Sequence, residues 1–138
     1  MTAARTSSMQ RFRQMTTELQ AEIRRDAIAE LQASADLLVQ QMKTVAPVGP
    51  TGNLRASIRK ERGKKETIVR VMAGGALTTV AVRKGSGVPY DYAMAVEFGT
   101  RQAGAQPFFY PSWRLRRKRI RSAMRRRITA NIKKRSAE

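Results

Sequence analysis

The sequence contains no cysteine and no histidine. The first absence removes disulfides and thiol nucleophiles, and the two together remove most zinc sites and the usual general base near neutral pH. A chain without thiols suits an oxidising or a reducing compartment equally. Acids are also scarce: ten Asp and Glu stand against 28 Lys and Arg, for a net charge of +18. Aromatics make up only 6% of the chain. No apolar run approaches the roughly 18 residues that a membrane span needs. The first fifteen residues carry Arg and Ser but no acid, superficially like an organellar transit peptide. They lack the apolar core of a secretory signal and run straight into a helical pattern, so they read as the mature N-terminus.

What is present suits one folded domain. A hydrophobic fraction of 41% is too high for wholesale disorder, and a chain of 138 residues can bury about 70% of its unfolded surface. Phe12, Met15, Leu19, Ile23, Ala27, Leu31, Ala35, Leu38, Met42 and Val45 recur at spacings of three and four, one apolar stripe on a helix. Ser7 or Ser8 can cap it, and Pro47 and Gly49 end it. Unbroken from Ser8 to Val45 it would reach about 57 Å, whereas a compact domain of this length is only about 35–40 Å across. Either the helix breaks or another subunit buries part of its stripe, and the second is the more useful expectation. Next, Leu54–Arg62 alternates imperfectly, and Thr67–Met72 and Thr78–Val82 are β-branched runs separated by Gly74-Gly75. These predict a three-stranded antiparallel meander with the first helix across its apolar face. Gly85–Pro89 reads as a flexible connection, and periodicity leaves Asp91–Phe98 open between short helix and strand.

Six of the eight aromatics gather between Tyr92 and Trp113, in YAMAVEFGTRQAGAQPFFYPSW. Phe98-Gly99-Thr100 reads as a turn in which Gly99 can take a positive φ. Pro107 removes a donor and biases Gln106 toward extended backbone, so Ala105-Gln106-Pro107 is expected to be irregular. Glu97, Thr100 and Gln106 are the polar groups at hand to satisfy that backbone. On local chemistry alone this is equally the hydrophobic centre of a small domain.

Pro111 can occupy the first turn of a last helix, with Trp113, Ile120, Ala123, Met124, Ile128 and Ile132 along one face. From Arg101 onward there are 13 basic residues and one acid, Glu138. Arg116, Arg117, Arg119, Arg121, Arg125, Arg126 and Arg127 are the candidate electrostatic residues. The pattern fits a DNA-contacting helix, a helix docking on an acidic protein ring or, least well, a membrane-surface helix. Catalysis finds little support. Glu18, Glu22, Asp26 and Glu30 step by four along one helix face, better placed to meet arginines such as Arg25 or a neighbour's than a metal. The glycine-rich stretches lack phosphate-loop spacing, and Glu97 has no partner base or nucleophile beside it. No catalytic residue, metal or cofactor is expected.

The blocks YA..VEFGT and AQPFFYP, preceded by APVGPTGNLRASI, resemble the tailed-bacteriophage head–tail connector or neck family, gene-product-ten-like and associated with tail completion. Together with the flanking helices they cover most of the chain, although the resemblance leaves the very basic C-terminus unexplained. It implies a structural virion protein at the head–tail junction, assembled in the host bacterial cytoplasm as a ring of six or twelve copies. Its partners would be neighbouring head-completion and tail-terminator proteins, with non-specific contact to packaged DNA and none to membrane. Tyr92, Glu97, Phe98, Gly99, Thr100, Gln106, Pro107 and Phe108 would then shape a loop at or near a subunit interface, with Glu97 fixing its backbone. The expected architecture is α+β in a single domain, 1–138: a long N-terminal helix (1–46) packed on a small antiparallel sheet with the motif loop (47–110), then a long basic C-terminal helix (111–138). The alternative is a free-standing, non-sequence-specific nucleic-acid-binding protein that uses the last helix against phosphates.

Overall fold

The computed structural model describes residues 2–137, with side chains from Ser7 onward. Its first element, α1 (Thr2–Val45), is one unbroken helix of 44 residues, about 66 Å long at 1.5 Å per residue. No glycine or proline interrupts this span, so nothing local breaks it. The helix starts upstream of Ser7 and Ser8; neither caps it, and both lie within its turns. Thr16, Thr17 and Thr44 return their hydroxyls to the carbonyls of Phe12, Arg13 and Gln40, which removes the competition a threonine usually offers a helical backbone.

The segment expected to be a strand from Leu54 begins instead as a helical turn, α2 (Asn53–Ser57). Leu54, Ser57 and Ile58 are buried while Ala56 is exposed. That spacing of three and four is helical, and the apolar alternation Leu54-Ala56-Ile58 imitates a strand. Extended chain starts only at β1 (Arg59–Arg62), which pairs antiparallel with β2 (Val69–Met72) in the register Arg59↔Met72 to Arg62↔Val69. A second ribbon joins β3 (Thr79–Ala81) to β4 (Pro89–Asp91), with Val80 opposite Tyr90. The three-stranded meander is therefore replaced by two separate two-stranded ribbons. Between β2 and β3 the chain passes through Gly74, at φ 94°, and then a 3-10 turn at Ala76–Thr78, which turns β3 away from the edge of β2. Pro89, expected in a loose connection, opens β4.

Asp91–Phe98 resolves as α3 (Tyr92–Phe98), and α4 (Phe109–Ala137) completes an α+β fold. α4 runs antiparallel along α1. Arg116 donates to Gln41 at 3.0 Å, Arg127 lies 3.9 Å from both Asp26 and Glu30, and Arg135 meets Glu22. Three of the four stepped acids of α1, Glu22, Asp26 and Glu30, thus face arginines of α4, while Glu18 accepts from Gln14. Half-exposed pairs of this kind contribute less than about 1 kcal/mol each, so they fix register more than stability. Leu38 and Met42 of α1, with Ala46 just past its end, meet Leu54, Ile58, Ala93 and Phe108 in the core, with Val71, Val96 and Phe109 packed against it. α4 covers α1 from Gln41 to Glu22, a cover within the same chain that the sequence reading did not foresee, and upstream of it Phe12 and Met15 of the stripe are exposed. Cover runs out near Glu22, where α4 ends.

Candidate assembly site

α4 begins where irregular chain meets the core, so its first N–H groups point at protein and need acceptors there. One side chain supplies them. The Glu97 carboxylate, only 7% exposed, accepts from the N–H of Phe108 at 2.8 Å, Phe109 at 2.9 Å and Tyr110 at 3.0 Å. The next residue, Pro111, has no N–H to satisfy. A single carboxylate therefore answers the whole opening turn, and its negative charge sits at the positive end of a 29-residue helix. Ser112, also buried, donates its hydroxyl to the Phe108 carbonyl.

The loop between α3 and α4 is built from its own backbone. Gly99 donates to the Ala95 carbonyl and Thr100 N–H to Ala103, and Gln106 N–H reaches back to Val96, each at 2.8 Å. The Thr100 hydroxyl accepts from the N–H of Gln102 and Ala103. Gly99 has φ 77° and ψ 172°, a region essentially restricted to glycine. A Cβ placed there would lie 2.8 Å from the Ala105 nitrogen. Phe98 is 62% exposed, with its ring 5.9 Å from that of Tyr110. Together with Met94, 68% exposed, and Met72 they rim an apolar groove floored by Ala93, Phe108 and Phe109.

A model of the family described as "Bacteriophage HK97-gp10, putative tail-component" matches residues 10–99, nearly two thirds of the chain. The chain belongs to the HK97-gp10-like family. Comparison with curated proteins and with solved structures returned no match. The gp10-like match takes in α1 from Gln10 onward, both ribbons and α3, and stops at Gly99. The loop that follows and the whole of α4 lie beyond it, so the basic C-terminal helix has no family explanation.

Within the gp10-like chain the motif residues divide by environment. Glu97 and Phe108 are buried and Tyr92 is half-buried; these three position the loop. Phe98, Thr100 and Pro107 are exposed and are what a neighbour could touch. Gln106 contributes its backbone N–H, bonded to Val96, while the residue itself is exposed. Sequence reasoning did not single out Met94, Tyr110 or the β3–β4 ribbon. On the ribbon, Val80 and Val82 share one face with Tyr90 and Val88 opposite, and all four are exposed. The alternation of Val80 with Val82, answered by Val88 and Tyr90, was the available signal.

Asp91 also escaped the sequence reading. Its carboxylate caps α3 by accepting from Ala93 N–H at 3.0 Å, and accepts from Thr78 Oγ1 at 2.6 Å and Gly75 N–H at 2.8 Å. It thereby ties the ribbon base to α3. A Cβ at Gly74 would come within 2.5 Å of this carboxylate, so the tie requires glycine there. Burial pushes the Asp91 carboxyl upward, but the Thr78, Ala93 and Gly75 hydrogen bonds outweigh it and hold the group below its ordinary value. A lowered folded-state pKa stabilises the fold above the unfolded value, about 3.9. That contribution fades as pH falls through the folded value. Asp91→Asn should therefore lower the urea midpoint by a constant amount at neutral pH, with the gap to wild type closing below about pH 4. A gap that stays flat into strong acid would show that the ionised form is not what holds the junction.

Among the described residues no group of three or more acidic side chains could hold a metal ion, and no helix is long and apolar enough to cross a membrane.

Proposed function

We propose that this chain is a head–tail connector subunit, a neck or tail-completion protein that closes a ring of six or twelve copies between the DNA-filled head and the tail. In this reading the whole chain acts as one non-enzymatic domain of the virion. It is added during assembly in the host cytoplasm, against neighbouring head-completion and tail-terminator proteins. Family membership supports the tail-component part.

The observation that carries the ring is apolar surface left open at three separate places. Upstream of the α4 seam, Phe12 and Met15 are 65% and 67% exposed. The β3–β4 ribbon presents four apolar side chains to solvent, and Met94, Phe98 and Tyr110 rim the open groove. Exposed apolar patches of this kind mark protein interaction sites, and aromatics and methionine are the residues enriched there. Contacts between unlike patches on identical copies are heterologous, and they form rings when the rotation closes. The loop held by Glu97 and Gly99 would carry Phe98, Thr100 and Pro107 to one such contact.

Light scattering on the purified chain tests this. An assembled mass at a multiple of 15.5 kDa is expected, falling to that of one chain in Val80→Ser/Tyr90→Ser or Phe12→Ser/Met15→Ser. A monomer at high concentration that is missing from particles would end the ring reading and favour the free-standing nucleic-acid-binding alternative.

A further inference from the structure

The cations of α4 lie all round the helix, some meeting α1 and others facing away from it. Arg116, Arg127 and Arg135 turn inward and are engaged by Gln41, by Asp26 and Glu30, and by Glu22. Arg114, Lys118, Arg121 and Arg125, at spacings of four, three and four, form one ridge on the outward side. All four are exposed, and none has a hydrogen bond or ion pair among the described residues. The ridge runs about 17 Å along the axis. Like charges at these spacings cost the helix stability, and no exposed acid of α4 relieves them before the terminus. Alongside the ridge lie Ser122 and Thr129, both exposed, short hydroxyls that allow close approach.

The chemistry of the strip selects its occupant. The centre of a protein–protein interface is built on aromatic and apolar anchors and is depleted of lysine. Between Lys118 and Arg125 the outward side offers neither anchor. A narrow row of cations with hydroxyls beside it suits a rod of regularly spaced phosphates, to which guanidinium groups bind in a bidentate fashion. No Asn or Gln stands in the row to pair with adenine edges, so sequence is not read through amide contacts.

We propose that the outward ridge of α4, centred on Lys118, Arg121 and Arg125, binds the phosphate backbone of duplex DNA without reading its sequence, while Arg116, Arg127 and Arg135 serve the seam with α1. Of the seven arginines expected from sequence the ridge keeps Arg121 and Arg125 and adds Arg114 and Lys118; Arg116 and Arg127 serve the seam, and Arg117, Arg119 and Arg126 are exposed to either side of the ridge. The strip stands apart from the ring reading, since a monomer that binds duplex would sink the ring alone.

The test is fluorescence anisotropy of a labelled duplex of arbitrary sequence with the full chain, titrated from about 50 to about 200 mM salt. Lys118→Ala/Arg121→Ala/Arg125→Ala should lower the log–log salt slope by about 2.7 and bind more weakly. Wild type should lose about 40-fold more affinity over that range than this variant does. Arg116→Ala/Arg127→Ala, which also removes charge, should leave the slope unchanged. Alanine favours helix, and circular dichroism is the check that both variants fold. Slopes that fall with total charge removed, whichever face loses it, would overturn the ridge. Failure of wild type to bind duplex at about 50 mM salt, with polyglutamate captured instead, would reassign the strip to an acidic protein surface.

Discussion

Glu97→Ala should destabilise the chain by about 3 kcal/mol, because it leaves three N–H groups at a largely buried helix start without an acceptor. Neighbouring polar groups cannot take over. The Thr100 hydroxyl is occupied by Gln102 and Ala103, and the Ser112 hydroxyl by the Phe108 carbonyl. Glu97→Gln keeps one acceptor oxygen but turns an amide NH2 toward a donor, so about 1–2 kcal/mol should be lost. Urea unfolding measures both values, and hydrogen exchange at Phe108, Phe109 and Tyr110 localises the effect. Faster exchange spread evenly over α1 and α4, with no excess at these three amides, would show that Glu97 does not act as the cap.

On the connector reading proposed above, Gly99→Val should remove head–tail joining while leaving helical circular dichroism nearly unchanged. The backbone there occupies glycine territory, worth about 1–3 kcal/mol of strain for another residue. The new Cβ would also lie 2.8 Å from the Ala105 nitrogen and 3.2 Å from the Ala103 oxygen. Both contacts are backbone, so relief requires the loop to move and endangers the bonds from Thr100 to Ala103 and from Gln106 to Val96. The α1–α4 seam lies elsewhere and stays helical. The readout is the fraction of heads carrying tails when the variant replaces wild type during assembly. Normal joining would exclude the loop from the junction.

The long helices were legible because their evidence is local: an uninterrupted apolar period, and cations around Ile120, Met124 and Ile128. The ribbons were harder. Leu54, Ala56 and Ile58 satisfy a strand pattern and a helical turn equally until burial shows Ala56 outside and Ser57 inside. The parting of β2 from β3 depends on positive φ at Gly74, which a sequence permits without requiring it. Glu97 was identifiable as the acid embedded among aromatics beside irregular backbone. That it answers three consecutive amides, followed by a proline with none, is a matter of three-dimensional placement. The split among the cations of α4, some meeting α1 and others facing away, was hidden for the same reason. Helical period assigns residues to faces, but only the antiparallel partner shows which face is inside.

The seam between α1 and α4 has a mechanical corollary. Packing is full at Ala35, Leu38 and Met42, partial at Ile23, Ala27 and Leu31, and absent at Phe12 and Met15. Stiffness should therefore fall off along the rod, from an anchored root to a pliant tip. A subunit graded in this way can hold its motif loop steady while the far end bends to meet surfaces of differing curvature.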